Sequence, residues 1–305
     1  MEYYLRMDPN GNAMGVWRID DTTAERIGVS KQAPGSYFTA KAGESIWDSI
    51  RRHAESWFSP DGAIAFHKLD LLPGQYYPRI ARPGDQHPHE APGTNPGIHM
   101  ERNLVAMAVG QLTALTRQLD RICRTIHPSI ETFDTYGHDI RNLLILACTE
   151  IEMYWRGVLV ANGVIKTRFS TNEYVGLLHA MKLNEYAVSF PQYPWLEPIA
   201  PFKEWGSTIR PTQDLRWYDS YNAIKHDREN QFSKATLLHA FEALGACYIM
   251  MAASFGVTEL RPRSELQAYY CLTKVPLWSP SAVYTHPYDT DPAKWTPVKY
   301  PFLKP

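Results

Sequence analysis

The chain has 305 residues, with 31 Lys and Arg against 32 Asp and Glu, a formal charge of -1. Hydrophobic residues make up 44% and charged residues 21%, so the chain reads as globular, and disorder as its main state is excluded. The balanced charge argues against a general nucleic-acid coat or a polybasic membrane binder, but allows a small basic cleft.

The first residues, Met1-Glu2-Tyr3-Tyr4-Leu5-Arg6, lack the basic and apolar regions of a signal peptide. The nearest approach to a membrane span, Ala243 to Phe255, is short and reads as a buried helix. The four cysteines form no C-x-x-C pair and read as buried reduced thiols. The expectation is a cytoplasmic protein with no membrane partner.

In chain order, Tyr3–Met7 and Met14–Ile19 flank Asp8-Pro9-Asn10-Gly11, a β-hairpin signal in which Asn-Gly tolerates positive φ. Glu44 to Phe58 carries apolar residues on one side and predicts a short helix. Ala63-Ile64-Ala65-Phe66 reads as a strand. From Pro73 to Gly97, ten of 25 residues are Pro or Gly, a density that no packed helix survives.

Apolar residues then recur every three or four positions from Glu101 to Ile126, which predicts an amphipathic helix stopped at Pro128. Further helices are predicted at Tyr136–Asn162, Asn172–Leu183, Asp214–Arg228 and Lys234–Phe255, the last apolar nearly all round. The tail from Leu260 alternates prolines and aromatics, which predicts an extended segment with one strand near Ala268–Lys274. It would pack on the N-terminal region and pair with its hairpin. The expected class is therefore mainly α. It comprises a small mixed α/β N-terminal region (1–98), an antiparallel helical bundle (99–257) and an extended C-terminal segment (258–305).

Two helices carry candidate chemistry. In the second bundle helix, Glu150 falls on the apolar arc, while Glu152 and Arg156 fall on the polar side and can pair at i, i+4. A carboxylate on an apolar arc calls for a cation from another helix or a raised pKa. In the later helix, Asn222, Lys225, His226 and Glu229 share a face with Tyr218. His226 can pass protons near neutral pH, Lys225 or Arg228 can hold a phosphate, and Asn222 can orient the imidazole. The same residues can equally form a buried network that pins the two helices together. Both readings place Glu150 near Lys225 or His226.

His87, His89 and Glu90, with His99 nearby, form a weak metal-ligand pattern; solvated loop is the plainer reading. His239 and Glu242 lie one turn apart and can line a cleft or satisfy each other, the second being the plainer reading. No P-loop, dinucleotide-binding glycine motif, G-x-S-x-G or H-E-x-x-H occurs.

The stretch Tyr-Gly-x-x-Ile-Arg-x-Leu-Leu-Ile-Leu-Ala-Cys-Thr-Glu-x-Glu at 136–152 and Trp-Tyr-x-x-Tyr-Asn-x-x-Lys-His-x-Arg at 217–228 resemble a group of bacterial proteins similar to the HEPN-like helical superfamily. The resemblance covers about 116–256. It implies a four- to five-helix bundle, homodimerisation, and a phage-defence or toxin–antitoxin setting. It also implies a metal-independent ribonuclease acting on RNA without a cofactor. On the matching positions, His226, Asn222, Lys225 and Glu150 would be catalytic, and Arg228, Arg141, Tyr218 and Tyr221 would bind substrate. The family's Arg-polar-x(4–6)-His motif is not reproduced there. Arg216 and His226 have nine residues between them, and Arg121 and His127, with five between them, carry Ile122 at the polar position. The alternative is a non-catalytic module that docks a protein partner or a second copy.

Overall fold

A computed structural model describes residues 1–58, 65–84, 95–96, 101–256, 265–288 and 294–302. The His87/His89 loop and His99 lie outside the described residues, as do Ala63 and Ile64 of the expected strand. The chain forms two compact units. One comprises residues 1–76, 82–96 and 278–298, and the other residues 77–81, 97–277 and 299–305.

The first unit is built on a five-stranded antiparallel sheet. Strands β1 (Glu2–Met7) and β2 (Ala13–Ile19) form the hairpin, in register Tyr4↔Trp17 and Leu5↔Val16. Gly11 takes the positive φ that its turn needs, 82°. Strand β3 (Thr23–Arg26) extends β2, β4 (Tyr37–Thr39) extends β3, and β5 (Phe66–Lys68) closes the far edge against β1. Side chains alternate across the pleat. Trp17, Ile19, Phe38 and Phe66 cover one face, onto which helix α1 (Ile46–His53) packs Ile46 and Ile50. Ser45 caps α1 by accepting from the Asp48 N–H. The helix stops at Ala54 and a single 3-10 turn takes over, so it is shorter than Glu44–Phe58.

Leu5, Val16, Ile27 and Leu69 cover the other face, joined by Val283 and Tyr288 of the tail. Strand β6 (Gln75–Tyr76) pairs in parallel with Thr296–Pro297. Gly74 just before it has φ 78°, and a Cβ there would lie 2.6 Å from Pro287, so only glycine fits.

The second unit is helical around one core helix. Helix α2 (Arg102–Cys123) buries Leu112, Leu115 and Leu119. Helix α3 (His138–Ala161) has its C-terminus fixed by Asn162, whose amide donates to the Pro78 carbonyl at 2.9 Å. The expected helix at Asn172–Leu183 is two short pieces, Thr171–Tyr174 and Leu177–Met181, ending at Lys182 in the left-handed region. Helix α4 (Arg216–His226) begins after a separate turn at Pro211–Asp214. Helix α5 (Leu237–Phe255) is capped by Thr236 and buried on nearly every side. It packs on α2, α3 and α4.

By length and composition α5 is long and apolar enough to cross a membrane, a correction to the reading of Ala243–Phe255 as too short to do so. Here it is the core helix of this unit, 83% of its apolar window being buried. Strand β7 (Ala187–Ser189) pairs antiparallel with β8 (Cys271–Lys274), so the tail strand joins the helical unit rather than the hairpin.

The class is thus mixed α+β, not a mainly-α bundle. Helix accounts for 45% and strand for 15% of the described residues, and the N-terminal sheet carries its own core on both faces. A mainly-α reading fails because β3 and β4, of three or four residues each, are too short to show alternation, while β5 overlaps the expected strand only at Phe66.

Candidate functional site

Helix α3 is packed on opposite sides, and this decides where each candidate residue falls. Successive residues are about 100° apart around a helix, so Glu150 and Glu152 point roughly 200° apart. Glu152 faces α4, and its Oε1 accepts from the Tyr218 hydroxyl at 2.7 Å. Burial first, and then this carboxylate, push the Tyr218 phenol well above its ordinary range. One turn along α4, Lys225 donates to the Tyr221 hydroxyl at 2.9 Å, with its ammonium 4.9 Å from that ring. The bond to Tyr221 raises the Lys225 pKa against a smaller effect of burial, and the Glu152 charge adds to the rise. Tyr218 and Tyr221 are both buried.

Glu150 is not in this group. The expectation that it meets Lys225 or His226 is corrected: Glu152 holds that place, and Glu150 faces the opposite side. The expected Glu152–Arg156 pair is absent among the described ion pairs; Glu152 is engaged by Tyr218 instead. His226 is the last residue of α4 and is exposed, as is Arg228 beyond it. Asn222 is half-buried, and no described hydrogen bond joins it to His226. Arg141 donates to Asn142 at 3.1 Å, while its buried Nε has no described partner. His127 stacks on Trp195 at 4.9 Å, an aromatic contact rather than a catalytic pairing with Arg121.

On its other side α3 forms one wall of an apolar groove of about 650 Å³ with α2 and the end of α5. Leu104, Met107 and Ala108 come from α2, Glu150 and Tyr154 from α3, and Phe255 from α5. Burial alone raises the Glu150 carboxyl, and no described hydrogen bond or ion pair reaches it. At the far end Arg79 donates through Nε to both Glu101 oxygens, at 3.0 and 3.2 Å. Arg79 itself is in the left-handed region, φ 57°, a conformation costly to a non-glycine residue, and its guanidinium crosses α3 at Gly157, where any Cβ would collide with Nη1.

A third feature lies at the start of α5. His239 bonds through Nδ1 to the Lys234 carbonyl at 2.8 Å, so it does not satisfy Glu242. The Glu242 Oε2 is buried without a described partner. Burial raises this carboxyl to about 7, and Arg216 offsets only part of the rise.

Among the described residues no group of three or more His, Cys, Asp or Glu is placed to hold a metal ion. No protein-family model, curated protein or solved structure matches the chain. The HEPN-like resemblance rests on the two helix motifs alone.

Sequence reasoning missed the groove and Glu152 as the partner of α4, and it gave Glu242 a partner in His239 that the structure does not show. The signals existed: Glu152 shares the Cys148 side of α3, and Met107 and Met153 are apolar residues at positions that the core does not need.

Proposed function

We propose that the helical unit is a non-catalytic binding module. Its α3–α4 polar face is a structural network, and the groove on the opposite side of α3 is its binding surface. The observation that carries this reading is the 2.7 Å bond from Tyr218 to Glu152. It engages within the protein the carboxylate nearest the candidate face. Lys225, although exposed, likewise commits one of its donors to Tyr221 within the protein. A general acid or base must be positioned within hydrogen-bond reach of its proton and oriented by a partner. His226 stands exposed past the network, with no described bond to orient it.

The test is cleavage of a mixed RNA pool by purified protein in EDTA, wild type beside His226→Ala. The module reading expects no cleavage that depends on His226. Cleavage by wild type that His226→Ala abolishes would overturn it and return the chemistry to α4.

A further inference from the structure

Glu150 lies on the wall of a groove that is otherwise mostly apolar, and it lacks a counter-charge. No described residue donates to it or pairs with it, although two guanidinium groups line the same groove. Arg79 is occupied by Glu101. Arg156 is exposed and lies six residues further along α3, about 9 Å at 1.5 Å per residue. It lines the groove without a described ion pair, at a distance from Glu150 too long for direct pairing. A partly desolvated carboxylate without a cation is unfavourable, and a ligand that brings the cation removes that cost.

The surroundings restrict what carries the charge. Tyr154 follows Glu150 by one turn on the same wall, and an aromatic ring beside a carboxylate suits an ammonium. Met107 and Met153 stand at the rim, 71% and 65% exposed. Their unbranched thioether side chains adapt to an apolar body of variable shape. A volume of about 650 Å³ falls within the usual range of small-molecule pockets. An anionic head could meet the exposed Arg156, but it would leave the Glu150 carboxylate unpaired on the same wall, and at Arg79 it would compete with Glu101.

We propose that the groove between α2, α3 and the end of α5 binds a small hydrophobic organic cation, an alkyl- or arylalkylamine, with Glu150 as its counter-ion. This rests on the module reading and names the ligand of its binding surface.

The experiment is calorimetric titration of the full chain with n-octylammonium, octanoate and octanol. Wild type, Glu150→Gln and Ala108→Phe are compared, and melting curves confirm that each variant is folded. Octylammonium is expected to bind wild type in preference to the other two. Glu150→Gln is expected to weaken it about tenfold or more, by removal of a desolvated charge pair. Ala108→Phe, which fills the groove, is expected to abolish binding. Should Ala108→Phe fail to fold, the near-isosteric Glu150→Gln carries the test. No octylammonium binding to wild type, or equal affinity in Glu150→Gln, would overturn the proposal. Binding of octanoate or octanol in its place would overturn the cation and leave the groove as a binding surface. Cleavage of RNA dependent on His226 would overturn the module reading without touching the titration.

Discussion

Trp155→Ala is expected to destabilise the helical unit by about 3–5 kcal/mol, the range for removing a large buried aromatic from a packed core. Trp155 is 0% exposed. Its indole lies 4.9 Å from Trp205, 5.1 Å from Tyr174 and 5.1 Å from Tyr218, with Phe202 and Trp217 just beyond. It therefore ties α3 to α4 and to the Pro/aromatic segment between them. Trp155→Phe should cost much less. It leaves a smaller void and also removes the indole N–H, which is buried without a described acceptor. Chemical denaturation of the three proteins checks this. Equal losses for Ala and Phe would show that the ring cluster does not carry the stability.

Glu242→Gln is expected to stabilise the protein near pH 8 and to flatten its stability profile. Burial raises the Glu242 carboxyl from its ordinary 4.5 to about 7. Between those values the folded chain holds a proton that the unfolded chain has released. The sign follows from linkage: stability is fullest below about 4.5 and falls as the pH rises through 7. At about 1.4 kcal/mol per pKa unit, the rise from 4.5 to about 7 makes the loss by pH 8 about 3–4 kcal/mol. Glutamine cannot ionise, so its midpoint should stay level where that of wild type falls. Denaturant midpoints at pH 4.5, 6 and 8 measure the difference. A wild-type midpoint that rises over this interval relative to Glu242→Gln would show that the carboxyl is ionised and stabilised.

The hairpin was legible because alternation and an Asn-Gly turn state the same thing at two levels. Helices α2 and α3 were legible because a 3.6-residue period persists over six or more turns, and α5 because a long proline-free apolar run ends at Gly256; all three end within a few residues of the expected bounds. The strands Thr23–Arg26 and Tyr37–Thr39 were not. They are too short for periodicity, and β3 carries Thr, Glu and Arg as well as one buried Ala. Their pairing is a long-range property of the sheet and its core. The fold class was misjudged for that reason.

The candidate site was legible as residues but not as geometry. Periodicity placed Tyr218, Asn222 and Lys225 together on α4. It did not identify the carboxylate that meets them, because α3 has apolar contacts on more than one side. On a helix packed against α2, α4 and α5, the apolar arc is wide, and a carboxylate within it has no unique neighbour. Two residues then separate a carboxylate bonded to α4 from one on the opposite wall.

A double-mutant cycle on Glu152→Gln and Tyr218→Phe, read by equilibrium denaturation, bears on whether the α3–α4 polar face is structural. Each single variant is expected to lose about 1–2 kcal/mol, and the pair to couple by about 1 kcal/mol, as for a buried hydrogen bond to a charged group. Variants as stable as wild type or more stable, with no coupling, would contradict a structural network and mark the face as one held for chemistry at the expense of stability.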